Sequence, residues 1–597
     1  DLRTPLASGT RLEIITYKHK MAPEVYRHSA AHIMAQAVQS LWPDVQVTIG
    51  PVIENGFYYD FFAERKFVPE DLEKIEKKME DIVSKDLPIV KEVVKSKDAI
   101  EQFKKMGEHF KAEIIADLNT DEVSIYHQGD WFDLCRGPHL QTTGQLKAFK
   151  VLSVAGAYWR GDETKAQLQR IYATAWPDKK ELALYLERLE EAKKRDHRKL
   201  GKELGLFHFH NYSPGSPFFT PKGTTIYKEL VGFIQYLYRK HGYHEVITPE
   251  IFDIEMYKTS GHYENFAENM YFTEQEEREL AVKPMNCPGH CLLFGMDKHS
   301  YRELPLRIAD FGRLHRFERS GALHGITRVR SMCQDDAHIF CTNAQLSSEV
   351  KKFVDFLNEV YAALGLDDIV VRVATRPEKR VGSDEDWDRS EKTLMDSLST
   401  LGINFEVSPG DGAFYGPKIE FHVRDAIGRS WQLGTLQLDF NMPHRFGLTY
   451  TGDDNSEHTP LMLHRAILGT LERFIGVYLE HRSGHLPTWM APVQVQILNI
   501  TDRQNEYCES IKSELEMSGI RVHFDDRNEK LGYKIREGRN MRIPYLAIVG
   551  EKEAEEGKVS VQMRGGLKKD GISKEEFIQT VIQEVKNRTL DPVWLGN

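Results

Sequence analysis

Between Arg307 and Phe340 the chain reads RIADFGRLHRFERSGALHGITRVRSMCQDDAHIF. Apolar residues around Leu306, Ile308 and Phe311 at one end, and around His338, Ile339 and Phe340 at the other, predict two strands joined by a long Gly-containing loop. The loop carries Arg313, Arg316, Arg319, Arg328 and Arg330 against one nearby acid, Glu318, and the charge reverses at Asp335-Asp336. A guanidinium offers a fixed fork of donors that matches phosphate oxygens, so the segment reads as a strand pair presenting cations to a polyanion. The plainer reading of the same pattern is a solvated charged loop.

A chain of 597 residues is too long for one core and divides into three or four domains. A net charge of -11 means that any surface suited to nucleic acid must be local. Six cysteines at unrelated spacings are not a disulfide framework and fit a reducing, cytoplasmic setting. No apolar run approaches the roughly 18 residues of a membrane span, and DLRTPLASGT has no signal-peptide core.

From Pro23, EVYRHSAAHIMAQAVQSLW has the spacing of one amphipathic helix, with Ala31, Ala35, Val38 and Leu41 on its apolar side. His28 and His32, at i and i+4, project from one face. Farther on, CRGPH supplies Cys135 and His139, completing the inventory of a tetrahedral zinc site at spacings that match no standard zinc motif. Ordinary helix-surface histidines are the alternative. DKKELALYLERLEEAKKRDHRKLGKEL (178–205) reads as a single charged helix opened by Asp178 and Glu181, bridging two domains. Residues 367–400 read as a linker and a helix. AFYGPKIEFHV and WQLGTLQLDF read as a hairpin entering a strand and a strand of an antiparallel sheet. Near the C-terminus, VQVQILNI, IRVHFDD and PYLAIVG are strands of the kind βαβ units use.

Arg316-Phe317-Glu318, at a strand end before an Arg-bearing loop, resembles the second signature of the class II aminoacyl-tRNA synthetases. The surrounding residues are similar to those of bacterial-type threonyl-tRNA synthetases. HGYHEVITPEI, after the apolar helix Ile226 to Tyr238, resembles the first signature, an element of a two-fold dimer interface. LMLHRAILGTLERF resembles the third. HSAAH with CRGPH is similar to the editing domain shared by threonyl- and alanyl-tRNA synthetases. The resemblance implies an α+β multidomain protein: an antiparallel class II sheet core with helices, an α+β editing domain and a C-terminal α/β anticodon-binding domain. The expected divisions are 1–16 (the tail of an N-terminal ubiquitin-like domain), 17–177 (editing), 178–205 (linker helix), 206–488 (catalysis) and 489–597 (anticodon binding).

The activity so implied is an ATP-dependent threonine–tRNA ligase. It would form threonyl-adenylate, transfer threonine to tRNA(Thr) and hydrolyse mischarged Ser-tRNA(Thr) at a second site, as a cytoplasmic homodimer. Matched residue by residue, Cys287, His338 and His464 would hold one Zn²⁺, with Cys291 and Cys333 as nearby confounders. Arg316 would meet the α-phosphate, Glu318 the adenine amino group, Arg328 the outer phosphates, and Arg473 adenine and the γ-phosphate of ATP bound with Mg²⁺. Gln334 and Asp336 would orient L-threonine, and Tyr415, Lys418, Gln432 and Gln437 would line the site. The editing set is His28, His32, Lys111, Asp133, Cys135 and His139. The anticodon readers are Asn528, Lys530 and Glu553. Met332 stands where the family usually has a Phe that stacks on adenine; its polarizable thioether can also pack against a ring.

A zinc site and an editing site explain each other. An apolar pocket separates isosteres such as threonine and valine by only about 100-fold, whereas a site that engages the hydroxyl reaches 10⁴–10⁵. Serine keeps the hydroxyl and lacks only a methyl, worth about 1–3 kcal/mol, so serine is mis-activated and must be removed. A sister class II synthetase, an RNA-binding regulator without catalysis, and a zinc hydrolase are the rival readings.

Overall fold

The computed structural model describes Gly9 and residues 15–595, in two compact units divided between Glu190 and Glu191. The expected ubiquitin-like remnant, 1–16, lies outside the described residues apart from Gly9, Ile15 and Thr16.

In the first unit the helix Ala22–Leu41 is almost wholly buried. Its small residues Ala30, Ala31, Ala35 and Ala37 allow close packing, in one core with Phe57, Tyr59 and Phe61. Those aromatics alternate along the strand Gly56–Phe62, which pairs antiparallel with Gln167–Trp176. A second sheet of three antiparallel strands, Ile89–Lys95, Glu122–Gln128 and Trp131–Leu134, shares a smaller core with the helices Ser96–Lys105 and His109–Leu118.

The expected single helix over 178–205 is two: Lys179–Arg195 and His197–Glu203. Asp196 ends the first and caps the second, its carboxylate accepting from Arg198 N–H at 2.8 Å. A side chain that bonds the backbone this way competes with helix continuation.

The second unit is built on an eight-stranded sheet ordered His244–Glu245, Leu306–Asp310, Asp336–Cys341, Leu461–Ala466, Ser430–Asp439, Lys418–Arg424, Ile369–Ala374 and Phe405–Ser408. Pairing is antiparallel except at the two edges. Residues 367–400 are therefore not a linker: Ile369–Ala374 is an interior strand, with Val371 and Val373 in the core, and Asp384–Thr400 is a helix. The helices Pro221–His241, Leu346–Leu364 and Leu471–His481 join the same core. The Arg-rich segment is a stepped hairpin: Leu306–Asp310 pairs with Asp336–Cys341 in the main sheet, and Arg313–His315 pairs with Ser331–Cys333 in a separate ribbon. Within that ribbon Met332 is buried with Leu314 and Val329.

Toward the C-terminus, Val522–Asp525, Val495–Asn499 and Tyr545–Val549 run parallel, the βαβ arrangement expected, and two antiparallel strands complete that sheet. No helix among the described residues is long and apolar enough to cross a membrane.

Candidate functional site

In the second unit four adjacent strands carry side chains that line or flank one cavity. Register places His338 opposite His464, His464 opposite Gln437, and Gln437 opposite Lys418. Residues directly across an antiparallel pair share a face, so the imidazoles meet on the same side of the sheet. Cys287 comes from elsewhere, the first residue of the helix Cys287–Gly295. The ligand atoms of Cys287, His338 and His464 all lie within 4.8 Å of one another. With Arg316, Gln334, Asp336, Tyr415, Gln432 and Gln437 they line a cavity of about 250 Å³.

 Glu318, Arg328, Lys418 and Arg473 lie outside that lining. Cys291 and Cys333 stand apart from the cluster, with their sulfurs against Met462 Sδ and the Phe311 carbonyl.

The protons of the two histidines are assigned by their outer partners. His464 Nε2 donates to Asp439 at 3.0 Å. His338 Nδ1 pairs with His290 Nδ1 at 2.7 Å, and His290 Nε2 points to Asp310, 3.9 Å away. His338 Nε2 and His464 Nδ1 are left facing each other at 2.9 Å. Two lone pairs do not face at that distance unless a cation or proton lies between them. With a thiol beside them, Asp439 behind His464 and His290 behind His338, the donor set fits zinc. Burial holds His338 well below its ordinary pKa and Cys287 well above, which favours the neutral forms until a cation is bound.

Around the cluster, Asp336 accepts from Asn286 Nδ2 at 3.0 Å, and Tyr415 donates to Gln437 at 2.6 Å. Lys418 pairs with Glu420 at 2.6 Å, and Gln432 donates to the same carboxylate at 3.0 Å. Arg316 is fixed by the Pro284 carbonyl at 3.2 Å, and its guanidinium lies 5.7 Å from the Phe266 ring centre. Arg328 pairs with Glu318 at 3.0 Å. Arg473 stands 5.8 Å over Trp431, with its buried Nε unpartnered. Sequence reasoning missed His290, Asp439 and Asn286, and also His262, whose Nε2 lies 3.7 Å from Cys287 Sγ. None belongs to a recognisable spacing; only the sheet and its neighbours bring them in.

The first unit holds a separate pocket of about 380 Å³ lined by His28, His32, Tyr59, Lys111, Asp133 and Cys135. The Ala22–Leu41 helix places both histidines on one face, and the strand Trp131–Leu134 delivers Asp133. Cys135 Sγ lies 3.0 Å from His28 Nε2 and 3.2 Å from His139 Nε2. Burial pushes the Cys135 thiol up to about 11 and holds His28, His32 and His139 below the usual imidazole range. Behind them Lys111 Nζ sits 2.6 Å from Asp133 Oδ1, and Tyr59 donates to Asp133 Oδ2 at 2.5 Å. Tyr59 was absent from the sequence-derived set: GFYYDFF is aromatic on both faces of the strand, and only the fold shows that Tyr59 is buried.

In the C-terminal region Asn528 and Lys530 are exposed at the start of the helix Leu531–Asn540. Glu553 stands elsewhere, in the helix Glu551–Glu556, where it accepts from Gly550 N–H at 3.1 Å and Ser560 Oγ at 2.9 Å.

Over 594 residues the sequence is 58% identical to the threonine–tRNA ligase of Bdellovibrio bacteriovorus, covering 99% of this chain and 90% of that relative. This chain belongs to the threonine–tRNA ligase family. The ligase of Hahella chejuensis is 53% identical over 567 residues, covering 95% of this chain and 89% of the relative. Three family models match segments of the chain: the tRNA synthetase class II core domain (G, H, P, S and T) at 271–482, the anticodon binding domain at 494–584, and the threonyl and alanyl tRNA synthetase second additional domain at 123–172. Among solved structures, the RNA binding domain of threonyl-tRNA synthetase from Cryptosporidium parvum Iowa II is 42% identical with a TM-score of 0.63, covering 67% of this chain and all of that one. In this threonine–tRNA ligase family member, the core-model segment contains Cys287, His338, His464 and every arginine singled out above, and the additional-domain segment contains Asp133, Cys135 and His139.

Proposed function

We propose that the chain activates L-threonine with ATP, transfers it to tRNA(Thr), and clears Ser-tRNA(Thr) at the pocket of the first unit. The observation that carries the reading is the convergence of Cys287, His338 and His464 on one point of the cavity that also holds Arg316 and Asp336. Zinc held by these three would offer open Lewis-acid positions to an amine and a hydroxyl, a pair that valine lacks. Asp336 and Gln334 orient the amino acid, and Tyr415, Lys418, Gln432 and Gln437 shape its surroundings. Its carboxylate attacks the α-phosphate of Mg²⁺-ATP in line, and pyrophosphate leaves. Arg316 offsets the charge that grows on the α-phosphate; Arg328 and Arg473 hold the outer phosphates and the base, and Glu318 accepts from the adenine amino group. A ribose hydroxyl at the tRNA 3′ end then attacks the adenylate.

In the hydrolytic pocket His28 relays a proton from water to the leaving ribose oxygen, and Lys111 stabilises the ester oxyanion. His32, Asp133, Cys135 and His139 hold that geometry. Asn528, Lys530 and Glu553 are proposed to read anticodon bases. The proposed division is 17–177 for editing, 178–205 for the linker, 206–488 for catalysis and 489–597 for anticodon binding, with a break at Asp196 inside the linker. The exposure of Tyr212 (95%) and Ile247 (93%) supports a homodimer through the catalytic segment. Six free cysteines support a cytoplasmic location.

Pyrophosphate exchange with threonine, valine and serine, run beside metal analysis, tests the assignment. Exchange with threonine and serine but not valine, with about one zinc per chain, is the expected result. Full threonine-dependent exchange by a metal-free Cys287→Ala protein would overturn it.

A further inference from the structure

The second helix of the broken linker begins at a histidine that no family model spans and no sequence motif singled out. His197 is fully buried. Its Nδ1 donates to Glu480 Oε1 at 2.6 Å, and its backbone N–H donates to the same oxygen at 2.9 Å. Its other ring nitrogen, Nε2, accepts from the backbone N–H of Ile326 at 3.2 Å. An imidazole that donates at Nδ1 and accepts at Nε2 has one tautomer, and Glu480 selects it.

Both partners lead to the proposed nucleotide site. Ile326 lies in the turn His324–Arg328, closed by the backbone bridge between His324 and Arg328 and by Thr327 Oγ1 donating to the His324 carbonyl at 2.8 Å. Arg328 is the last residue of that turn. Glu480 lies on the helix Leu471–His481, which also carries Arg473. Its second oxygen accepts from Arg429; Arg429 and Trp431 Nε1 both donate to Asp425, at 2.7 and 2.9 Å, and Arg473 stands over Trp431.

The fit at the turn is tight. Gly325 has φ +49°, and a Cβ there would come within 2.0 Å of His197 Nε2. A Cβ on Gly476 would come within 2.8 Å of Thr327 Cγ2, so the turn rests directly on the helix. Asp196, His197 and Glu480 lie close enough to hold a metal. Their lone pairs are instead taken by N–H donors: Arg198 on Asp196, Ile326 on His197, and His197 with Arg429 on Glu480.

We propose that His197 is a positioning residue for nucleotide binding: it ties the turn His324–Arg328 to the Leu471–His481 helix, so that Arg328 and Arg473 face one ligand. The inference rests on the assignment of those arginines to ATP. Its test separates the two nitrogens. Asn places an amide nitrogen where His has Nδ1 and serves Glu480 alone; Gln reaches the position of Nε2 and restores an acceptor to Ile326.

Binding of the non-hydrolysable analogue adenosine 5′-(β,γ-imido)triphosphate and of threonine is measured by calorimetry on the full chain and on His197→Ala, His197→Asn and His197→Gln. Loss of one buried hydrogen bond predicts analogue binding weakened about three- to tenfold in the Ala and Asn variants. The Gln variant should return to within about twofold of wild type, with threonine binding unchanged throughout. Recovery by Asn equal to that by Gln would reduce His197 to a partner for Glu480 and overturn the proposal, as would unchanged analogue binding in all three. Should the Ala variant not fold, the Asn and Gln pair decides. Threonine-dependent exchange by the wild-type chain, measured alongside, judges the functional assignment separately, because analogue binding needs no chemistry.

Discussion

Replacing Lys111 with Met removes the cation of the proposed hydrolytic pocket and leaves its counter-charge in place. Lys111 Nζ lies 2.6 Å from Asp133 Oδ1 and 2.9 Å from the Tyr59 hydroxyl, and both members of the ion pair are buried. A buried carboxylate that loses its partner costs about 3–5 kcal/mol. For a unit of this size that lowers the melting temperature by about 6–20 °C. Pairing the change with Asp133→Asn removes the stranded charge and should recover most of the loss. Catalysis should not recover with it. Losing one group that stabilises an oxyanion slows hydrolysis by about 10²–10³, in the double variant as in the single. The assays are deacylation of Ser-tRNA(Thr) and thermal unfolding, with threonine charging as the control, since that chemistry is proposed for the other unit. Deacylation by Lys111→Met within about threefold of wild type would refute the oxyanion role. A double variant that regains both stability and hydrolysis would make Lys111 a counter-ion and nothing more.

Burial pushes Glu108 up to about 7. Between roughly pH 4.5 and 7 the folded form therefore keeps a proton that the unfolded chain has lost, and stability falls as pH rises. In Glu108→Gln that slope should disappear from hydrogen-exchange protection of the first unit, corrected for intrinsic rates; an unchanged slope would assign it to another group. Asp439→Asn alters the acceptor behind His464 and should weaken zinc binding about 10- to 100-fold in a chelator titration; undiminished affinity would remove Asp439 from the site's support. Ile247→Asp places a charge on the proposed dimer face, so sedimentation at micromolar concentration should show a dimer for the wild-type chain and a monomer for the variant. A dimeric variant would move the interface elsewhere.

What the sequence made legible was local. The i, i+4 spacing of His28 and His32 is a helix property, and alternation in WQLGTLQLDF is a strand property; both elements are present. The break at Asp196 was legible in principle, since Asp is a strong cap, but the charged stripe on either side reads as continuous. Ile369–Ala374 was lost because six residues give alternation little room to show: Val371 and Val373 face the core, while the alternate positions Val370 and Arg372 are half-buried. Cys287, His338 and His464 were found through a family resemblance, because their spacing reflects sheet topology and carries no period of its own. His290, His262, Asp439 and Tyr59 required the fold: each is chosen by what lies across a strand or behind a ring.

The paired strands act as a ruled grid, with His338 beside His464, then Gln437, then Lys418, each on a fixed line. On such a grid a substitution rewrites one square, while a single-residue insertion in a strand turns every square beyond it face down. Point changes can thus retune which amino acid is chosen without redrawing the board, whereas length changes within these strands should be lethal and those in the connecting loops tolerated.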